Sequence, residues 1–341
     1  MIDDKIAEGS LPFFSVVVPV YNKEPHIARA INSILNQTFQ DFELIIVCDP
    51  STDNSNAEVA KFTDPRIRVF HRDEPGPGGY AARNLGIKEA KAEWVAFLDA
   101  DDEWHASHLD NASTMINKFP SCNMFSSGWR ISRGYGIKSN SFTISYCASN
   151  HIYLTLVEFL REMANKRPPI WTGVAVIRRE LLLRAKGFPI SCRRGGDVAL
   201  WLGCMIITKY MIVVPKPTAT YDNVVSGVTK ITCSGVSNNC LLMYAKKFIA
   251  SESITPIEKK ILKAMSNRFF FGGLRSRLIR REAKLSDAKY FYPMVSIKQT
   301  ATFCMYILLL IIPSSVAKAI LTSEEKVKYA INHYLINRSN L

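Results

Sequence analysis

Strand-like and helix-like segments alternate over the first 104 residues, and this alternation constrains the fold more than any other feature. Segments typical of buried strands are "FSVVVPVYN" (14–22), the start of "FELIIVCDPSTDNS" (42–55), "RIRVFH" (66–71) and the start of "WVAFLDADD" (94–102), with helix-like segments between them. Strands joined in this way imply right-handed βαβ crossovers and a mostly parallel sheet with helices on both faces. The sequence therefore predicts an α/β fold of Rossmann-like organisation.

Polar loops follow the predicted strands: "YNKE", "CDPSTD" and "DADDEW". The carboxyl ends of parallel strands meet at one edge of a sheet, where ligands bind in this class of fold. The third loop concentrates four acids in five residues, Asp99, Asp101, Asp102 and Glu103. Negative charge is thus expected where a ligand would bind.

Asp99 and Asp101 are two residues apart, so in an extended chain their carboxylates point the same way. Two such charges repel unless a cation lies between them. Mg²⁺ suits this position, because it binds one or two carboxylates together with substrate phosphates. The alternative is that these acids only cap a turn or the next helix, the role we expect mainly for Asp102 and Glu103.

The net charge of +13 is distributed unevenly along the chain. Residues 1–120 carry 11 Lys and Arg against 19 Asp and Glu, whereas residues 121–341 carry 32 against 11. A basic second half indicates an anionic partner, either nucleic acid or membrane lipid. No base-stacking module or recognition motif supports nucleic acid, so an anionic membrane surface is the expectation.

Four motifs carry a resemblance to a known family. "VVVPVYN", "VCDPSTDNS", "GGYAARNLGI" and "FLDADD" occur in the order and at the intervals found in inverting glycosyltransferases of family 2. The resemblance covers residues 12 to about 235 and implies the GT-A fold. Within it, residues 12–120 would bind the nucleotide sugar, and residues 121–235 would form the acceptor side with the catalytic base.

The resemblance implies roles for several residues of the predicted edge. Pro19, Tyr21 and Glu24 match the loop that holds the nucleotide base, and Asp49 matches the acid that hydrogen-bonds a pyrimidine. Cys48 stands where the family pattern has a first acid, which leaves the exact base contact open. Ordinary loop chemistry is the alternative for Tyr21 and Asp49.

The same comparison assigns the diphosphate and sugar contacts. Arg83 matches an arginine close to the donor, although a structural ion pair is the alternative for it. Asp99 matches the acid that meets the donor sugar or ribose, and Asp101 matches the ligand of an Mg²⁺ or Mn²⁺ ion. A UDP-sugar is the favoured donor.

Asp197 is the candidate general base. It lies in "RRGGDVALWLGCM", before an apolar helix, as the catalytic Asp of the family does. Gly196 replaces the commoner Glu, and residues 221–230 lack the His that many relatives carry there. The alternative is that Asp197 merely caps the following helix.

A competing motif lies at residues 76–81. "GPGGYA" fits the G-x-G-x-x-A dinucleotide fingerprint. That fingerprint belongs in the first βα turn, whereas here it follows the third predicted strand. An oxidoreductase is therefore disfavoured.

The flanking regions differ from this domain. Residues 1–11 form an N-terminal tail without the basic and apolar regions of a secretion signal. Residues 236–341 are predicted to be helical and basic, with a cluster at Arg275, Arg277, Arg280, Arg281 and Lys284. Within them, residues 303–321 could form an interfacial or re-entrant membrane segment, a buried core helix or a true span.

With the basic C-terminal part, which resembles the tails of bacterial surface-polysaccharide transferases, the resemblance implies an inverting transferase of surface-polysaccharide synthesis. It would move a sugar from a nucleoside-diphosphate donor to a glycan or polyprenyl-linked glycan, at the inner face of the cell membrane. Eight scattered cysteines without a metal-binding pattern fit a reducing cytoplasm. The alternative is a non-catalytic nucleotide-sugar-binding or scaffolding protein derived from this fold.

Overall fold

The structure is a computed structural model, and the residues that it describes are 11–191, 194–223, 239–279, 283, 285–293, 295, 297–309 and 320. The chain divides into two compact units, residues 1–231 and 232–341. The first unit contains one ten-stranded sheet. The described part of the second unit is helical.

The strands of the first unit are β1 (Phe14–Val20), β2 (Phe42–Cys48), β3 (Ile67–His71), β4 (Trp94–Phe97), β5 (Glu103–Trp104), β6 (Met124–Arg133), β7 (Gly136–Ser139), β8 (Ile152–Thr155), β9 (Val176–Arg178) and β10 (Tyr210–Asp222). Its helices are α1 (Ile27–Leu35), α2 (Ser55–Ala60), α3 (Tyr80–Glu89), α4 (His108–Lys118), α5 (Ser141–Tyr146), α6 (Leu156–Ala164), α7 (Arg179–Arg184) and α8 (Gly196–Thr208). Short 3-10 segments occur at Pro77–Gly79 and Thr172–Val174.

The strand order is β3-β2-β1-β4-β9-β6-β10-β5, with β7 paired to β6 and β8 to β10. The four strands from β3 to β4 are parallel. Strand β9 is antiparallel to both β4 and β6, and β6 is parallel to β10. The carboxyl ends of β1–β4, β6 and β10 therefore lie at the same edge. The predicted α/β fold is confirmed, and the second half of its sheet is mixed because β5, β7, β8 and β9 run the other way.

Burial explains the composition of the central strands. Val16, Val17 and Val18 of β1 have no exposed surface, and every residue of β2 is buried. A parallel strand covered on both faces is expected to be continuously apolar and β-branched. In α3, a Cβ added to Gly86 would lie only 2.3 Å from Cγ1 of Val17, so this glycine allows the helix to approach β1 closely.

The second unit contains α9 (Cys240–Ala250), α10 (Pro256–Ile279) and α11 (Ile297–Leu308), with a 3-10 segment at Leu285–Tyr290. Its core is aromatic: the Phe291 and Phe303 rings stack with centroids 4.0 Å apart, and Phe270 is fully buried beside them. The predicted helical C-terminal region is confirmed.

Two details bear on membrane association. Among the described residues, no helix has the length and apolar character needed to cross a membrane; residues 310–319 and 321 of the predicted apolar segment lie outside that set. Of the basic cluster, Arg277 is buried and pairs with Asp287 at 2.5 Å, so its charge is compensated internally. Arg280, Arg281 and Lys284 are not among the described residues.

The described cysteines only partly follow the expectation of reduced thiols. Five of them are free: Cys48, Cys122, Cys147, Cys204 and Cys304. Cys240, at the start of α9, is disulfide-bonded.

Candidate functional site

The predicted site residues lie on loops and helix ends around the carboxyl edge of the sheet. β1 leads into Tyr21 and Glu24, β2 into Asp49, and β4 into the acidic loop, defined as residues 99–102. Arg83 comes from the first turns of α3, and Asp197 from the first turn of α8. The topology thus brings together residues from five separate segments.

Two of these loops are joined by hydrogen bonds. Asn22 has φ of 50°, its N–H donates to Oγ of Ser51 at 3.1 Å, and its side-chain oxygen accepts from the Thr52 N–H at 2.8 Å. Pro19 is half-buried within β1, and Tyr21 is 44% exposed beside this junction. The Tyr21 ring is therefore accessible on a fixed backbone.

Glu24 takes part in the same junction. Its N–H donates to Asp53 at 3.0 Å, while its carboxylate accepts from the N–H and the side-chain amide of Asn54 at 3.0 and 3.1 Å. Both carboxylate oxygens are thus engaged in joining the loops. Glu24 thus has a structural role, in addition to the donor contact that is predicted for it.

Asp49 is almost completely buried, with 3% of its surface exposed. Its carboxylate pairs with Arg72 at 2.5 Å and accepts from the Gly76 N–H at 3.2 Å. Sequence reasoning missed Arg72. The signal was available, because Arg72 follows β3 directly, and β3 is the parallel neighbour of the strand that precedes Asp49.

Arg83 and Asp99 form an ion pair at the centre of the edge. Arg83 is buried, it also donates to the Gly78 carbonyl at 3.0 Å, and its guanidinium lies 5.5 Å from the centre of the Phe188 ring. Burial opposes its charge, but the Asp99 carboxylate prevails and raises the pKa of Arg83. Both interpretations of Arg83, ion pair and donor contact, remain compatible with this position.

Asp101 pairs with a residue that the sequence analysis did not single out. Nζ of Lys23 lies 2.5 Å from Oδ2 of Asp101, and both side chains are largely buried. The backbone N–H of Lys23 donates to Ser55 at 2.7 Å, which fixes the origin of the lysine side chain. A positive charge therefore already lies against the carboxylate predicted to bind a metal.

The acidic loop is not a continuation of β4, as the two-residue spacing had suggested. The strand ends at Phe97, and the N–H of Asp102 donates to the carbonyl of Asp99 at 3.0 Å, closing a turn. Asp99 and Asp101 consequently have different partners, Arg83 and Lys23. The chain is not extended here, so the condition under which the two carboxylates were expected to lie side by side is not met.

Asp102 also differs from its expected capping role. It has no exposed surface, and its Oδ1 accepts the Asp222 N–H at 2.8 Å, which ties the acidic loop to the end of β10. Its Oδ2 is buried without a hydrogen-bond partner among the described residues. Burial, together with the charges of Asp99 and Asp101, raises the pKa of Asp102 well above its ordinary value.

Asp197 lies close enough to Arg83 and Asp99 to interact with both electrostatically. Burial raises the pKa of Asp197, Arg83 opposes that shift, and Asp99 adds to it. The structure therefore groups these three charges, which come from α3, the acidic loop and α8.

Tyr80 explains the glycine next to Asp197. The Tyr80 hydroxyl accepts the Gly196 N–H at 3.0 Å, and a Cβ on Gly196 would lie 2.7 Å from the Tyr80 ring. A glutamate at this position would require the ring to move. Burial, with the Asp197 carboxylate, raises the pKa of Tyr80 to about 12, so its phenol stays protonated at neutral pH.

The carboxylate oxygens of the acidic loop are the type of donor atom that Mg²⁺ and Mn²⁺ prefer. No group of three or more His, Cys, Asp or Glu side chains suited to a metal occurs among the described residues. Mg²⁺ needs only one or two carboxylates when a diphosphate supplies further oxygens. Asp101 already accepts the Lys23 ammonium, so its carboxylate is the one that would hold the ion.

Comparison with known proteins is consistent with this arrangement. Residues 15–182 match the family model described as Glycosyl transferase family 2. The glucosyltransferase WfgD of Escherichia coli is 38% identical over 104 residues, 30% of this chain and 41% of that protein. The succinoglycan biosynthesis protein ExoW of Rhizobium meliloti is 29% identical over 58% of this chain and 65% of its own length. The chain thus spans less than two thirds of these relatives.

Solved structures extend the likeness in fold. A Staphylococcus aureus TarS fragment in complex with UDP-GlcNAc superimposes with a TM-score of 0.68 and 20% identity, over 93% of this chain and 92% of that one. The mannosyltransferase PcManGT of Pyrobaculum calidifontis, in complex with GDP-Man and Mn²⁺, has a TM-score of 0.57 over 92% and 87% of the two chains. The family match thus identifies residues 15–182, just under half of the chain, as a glycosyltransferase family 2 domain, and the solved structures share its fold.

Proposed function

We propose that this chain is an inverting glycosyltransferase that moves a sugar from a nucleoside diphosphate to a hydroxyl of a glycan or lipid-linked glycan. One observation carries the proposal. Asp197, with its raised pKa, lies in the same electrostatic cluster as Arg83 and Asp99, at the edge where the acidic loop leaves the sheet. This grouping supports a general base at Asp197 and donor contacts at Arg83 and Asp99.

Asp197 would act as the general base on the acceptor hydroxyl. An ordinary Asp has a pKa near 4 and an alcohol near 16, so complete prior deprotonation would cost about 16 kcal/mol. Proton transfer must therefore accompany attack at the anomeric carbon. Direct displacement by the acceptor oxygen inverts the anomeric configuration. Because burial raises the pKa of Asp197, its carboxylate is a stronger base than an exposed one.

The leaving diphosphate needs positive charge. When bound, a divalent ion would supply Lewis-acid stabilisation of that group. Within the chain, Lys23 and Arg83 supply ammonium and guanidinium groups at the same edge, each now paired with an acid. Their release from Asp101 and Asp99 onto the diphosphate would add to that stabilisation.

The names and titles of relatives support the proposed donor and acceptor. TarS forms complexes with UDP-GlcNAc and with UDP, and the name of WfgD specifies UDP-Glc as donor and a GlcNAc-diphosphoundecaprenol acceptor. These support a UDP-sugar and a polyprenyl-linked acceptor for this chain. With an acceptor of that kind, the reaction would take place at the inner face of the cell membrane, with the enzyme bound peripherally to anionic lipid.

Replacement of the base tests the proposal. Asp197→Asn should lower Mn²⁺-dependent turnover of UDP-sugars at least a thousandfold, because it removes the proton acceptor with little change in shape. Donor binding, followed as the rise in melting temperature with UDP, should persist. Turnover is measured as UDP release, with and without acceptor.

A matched control separates loss of chemistry from loss of charge. Asp110 is exposed in the first turn of α4, and Asp110→Asn should leave turnover unchanged. Donor binding without turnover in the unmodified chain would instead support the alternative, a non-catalytic nucleotide-sugar-binding protein.

A further inference from the structure

The hairpin of β6 and β7 carries exposed apolar side chains at its tip. We define this hairpin as residues 130–139, which includes the end of β6, the two-residue connection and β7. Tyr135 is 83% exposed and Ile137 is 60% exposed. Two large apolar side chains exposed two residues apart at the turn of a hairpin favour contact with a partner.

All the charged side chains of the hairpin are basic. Arg130, Arg133 and Lys138 are exposed, and none of them forms an ion pair with a described residue. Residues 111–157 contain no Asp or Glu. The positive charge of the hairpin is therefore not neutralised by acids along this part of the chain, and its partner is expected to be anionic.

The hairpin projects from the edge that holds the candidate site. β6 runs parallel to β10, and Ser132 near its end is in register with Asp222. The N–H of Asp222 donates to Asp102 of the acidic loop at 2.8 Å. The hairpin thus begins one strand away from the residue that anchors the acidic loop.

We propose that this hairpin binds the surface of an anionic lipid bilayer. Tyr135 and Ile137 would enter the interface between headgroups and acyl chains, where amphipathic tyrosine rings are favoured. Arg130, Arg133 and Lys138 would contact the anionic headgroups, each increasing the partition constant about fivefold. Exposed apolar side chains next to cations that form no ion pair with a described residue match such a surface better than a soluble anion, which would not require exposed Tyr135 and Ile137.

The inference rests on the proposed function in one respect, the use of a lipid-linked acceptor. A hairpin bound to lipid beside the acidic loop would hold the carboxyl edge of the sheet towards the membrane. The sugar end of a polyprenyl-linked acceptor would then meet the donor without leaving the bilayer.

Vesicle partition of the intact chain tests the inference. Sedimentation is measured with vesicles of phosphatidylcholine alone and with vesicles containing about one third phosphatidylglycerol. We expect at least tenfold stronger partition to the anionic vesicles. The double variant Tyr135→Ser/Ile137→Ser and the triple variant Arg130→Gln/Arg133→Gln/Lys138→Gln should each lower that partition at least tenfold.

Matched changes elsewhere provide the control. Leu183→Ser removes a half-exposed apolar side chain from α7, and Lys61→Gln removes an exposed cation from the end of α2; neither should alter partition. Equal binding of the hairpin variants and the unmodified chain would overturn the inference, as would binding that does not depend on anionic lipid.

The vesicle test of the hairpin and the turnover test of the proposed function can fail independently of each other. Release of UDP from the donor in solution does not require lipid, so the hairpin variants should retain it. Lipid binding without any UDP release would contradict the proposed function and leave the hairpin inference standing. If the chain releases UDP but the hairpin variants do not change partition, the proposed function stands and the hairpin inference is contradicted.

Discussion

Pairing of acids with cations from other loops is the main feature at the scale of single residues. Asp49 pairs with Arg72, Asp99 with Arg83, and Asp101 with Lys23. Each pair sets a cation against a carboxylate in a partly desolvated place, where an unpaired charge would be costly. In the proposed reaction, a doubly charged diphosphate would need a compensating cation or would displace an acid from its partner.

Lys23 should compete with a metal ion for Asp101. Lys23→Met frees that carboxylate, so the affinity of the nucleotide-free chain for Mn²⁺ should rise about tenfold, or about 1.4 kcal/mol. Titration calorimetry with Mn²⁺ alone measures this. Lys23→Arg keeps a cation in place and should bind Mn²⁺ as the unmodified chain does. Unchanged affinity in Lys23→Met would contradict the competition.

At the scale of secondary-structure elements, the close packing of helix α3 on the sheet sets the geometry of the site. α3 carries Tyr80 and Arg83, and its approach to β1 is set by Gly86 against Val17. The same helix therefore contacts the core with one glycine and positions two site residues with its first turns. Its distance from β1 controls where Arg83 meets Asp99.

Gly86→Ala should destabilise the fold by about 1–3 kcal/mol, the usual cost of overpacking a core. The added Cβ would lie 2.3 Å from a Val17 methyl group, so the helix or the strand must shift. Urea unfolding measures the loss. Gly134→Ala is the matched control, because a Cβ there meets nothing within 4 Å, and its stability should change by less than about 0.5 kcal/mol.

At the scale of the whole molecule, the sheet brings together groups that are far apart in sequence. Asp102 meets Asp222 across 120 positions, and Tyr80 meets Gly196 across 116. A further contact of this kind is buried: Nδ1 of His108 lies 2.7 Å from the Thr218 hydroxyl, and its ring stacks on Trp104 with centroids 4.2 Å apart. Burial, with a smaller contribution from His105, lowers the pKa of His108 to about 3.

This buried histidine should make the fold sensitive to acid. The pKa of His108 is lower in the folded state than the ordinary 6.5, so the folded state binds a proton there less readily than the unfolded state does. The stability that neutral His108 contributes is therefore fully present above pH 6.5 and is lost as the pH falls towards 3. Between pH 7 and 5.5, protonation linked to His108 should lower the free energy of unfolding by about 1 kcal/mol. Urea unfolding at the two pH values measures it in the unmodified chain and in His108→Gln, which should lose correspondingly less. The exposed His71→Gln should show the same pH dependence as the unmodified chain.

The sequence by itself determined the α/β class, the four parallel strands of the first half, the helical C-terminal region and the loops in which the acids lie. These features depend on local patterns, because continuous apolar runs and helical periodicity are properties of neighbouring residues. The family motifs added expected roles for Asp99, Asp101 and Asp197, which stay predictions until tested.

Only the tertiary structure decided which cation meets which acid. Lys23 and Asp101 are 78 positions apart, and their contact depends on strand order and on the turn that ends β4 rather than on any local pattern. The internal role of Asp102, the fit of Gly196 against Tyr80 and the position of the basic hairpin beside the acidic loop have the same origin. Each arises from side chains that pack across strands, and sequence spacing carries no information about such contacts.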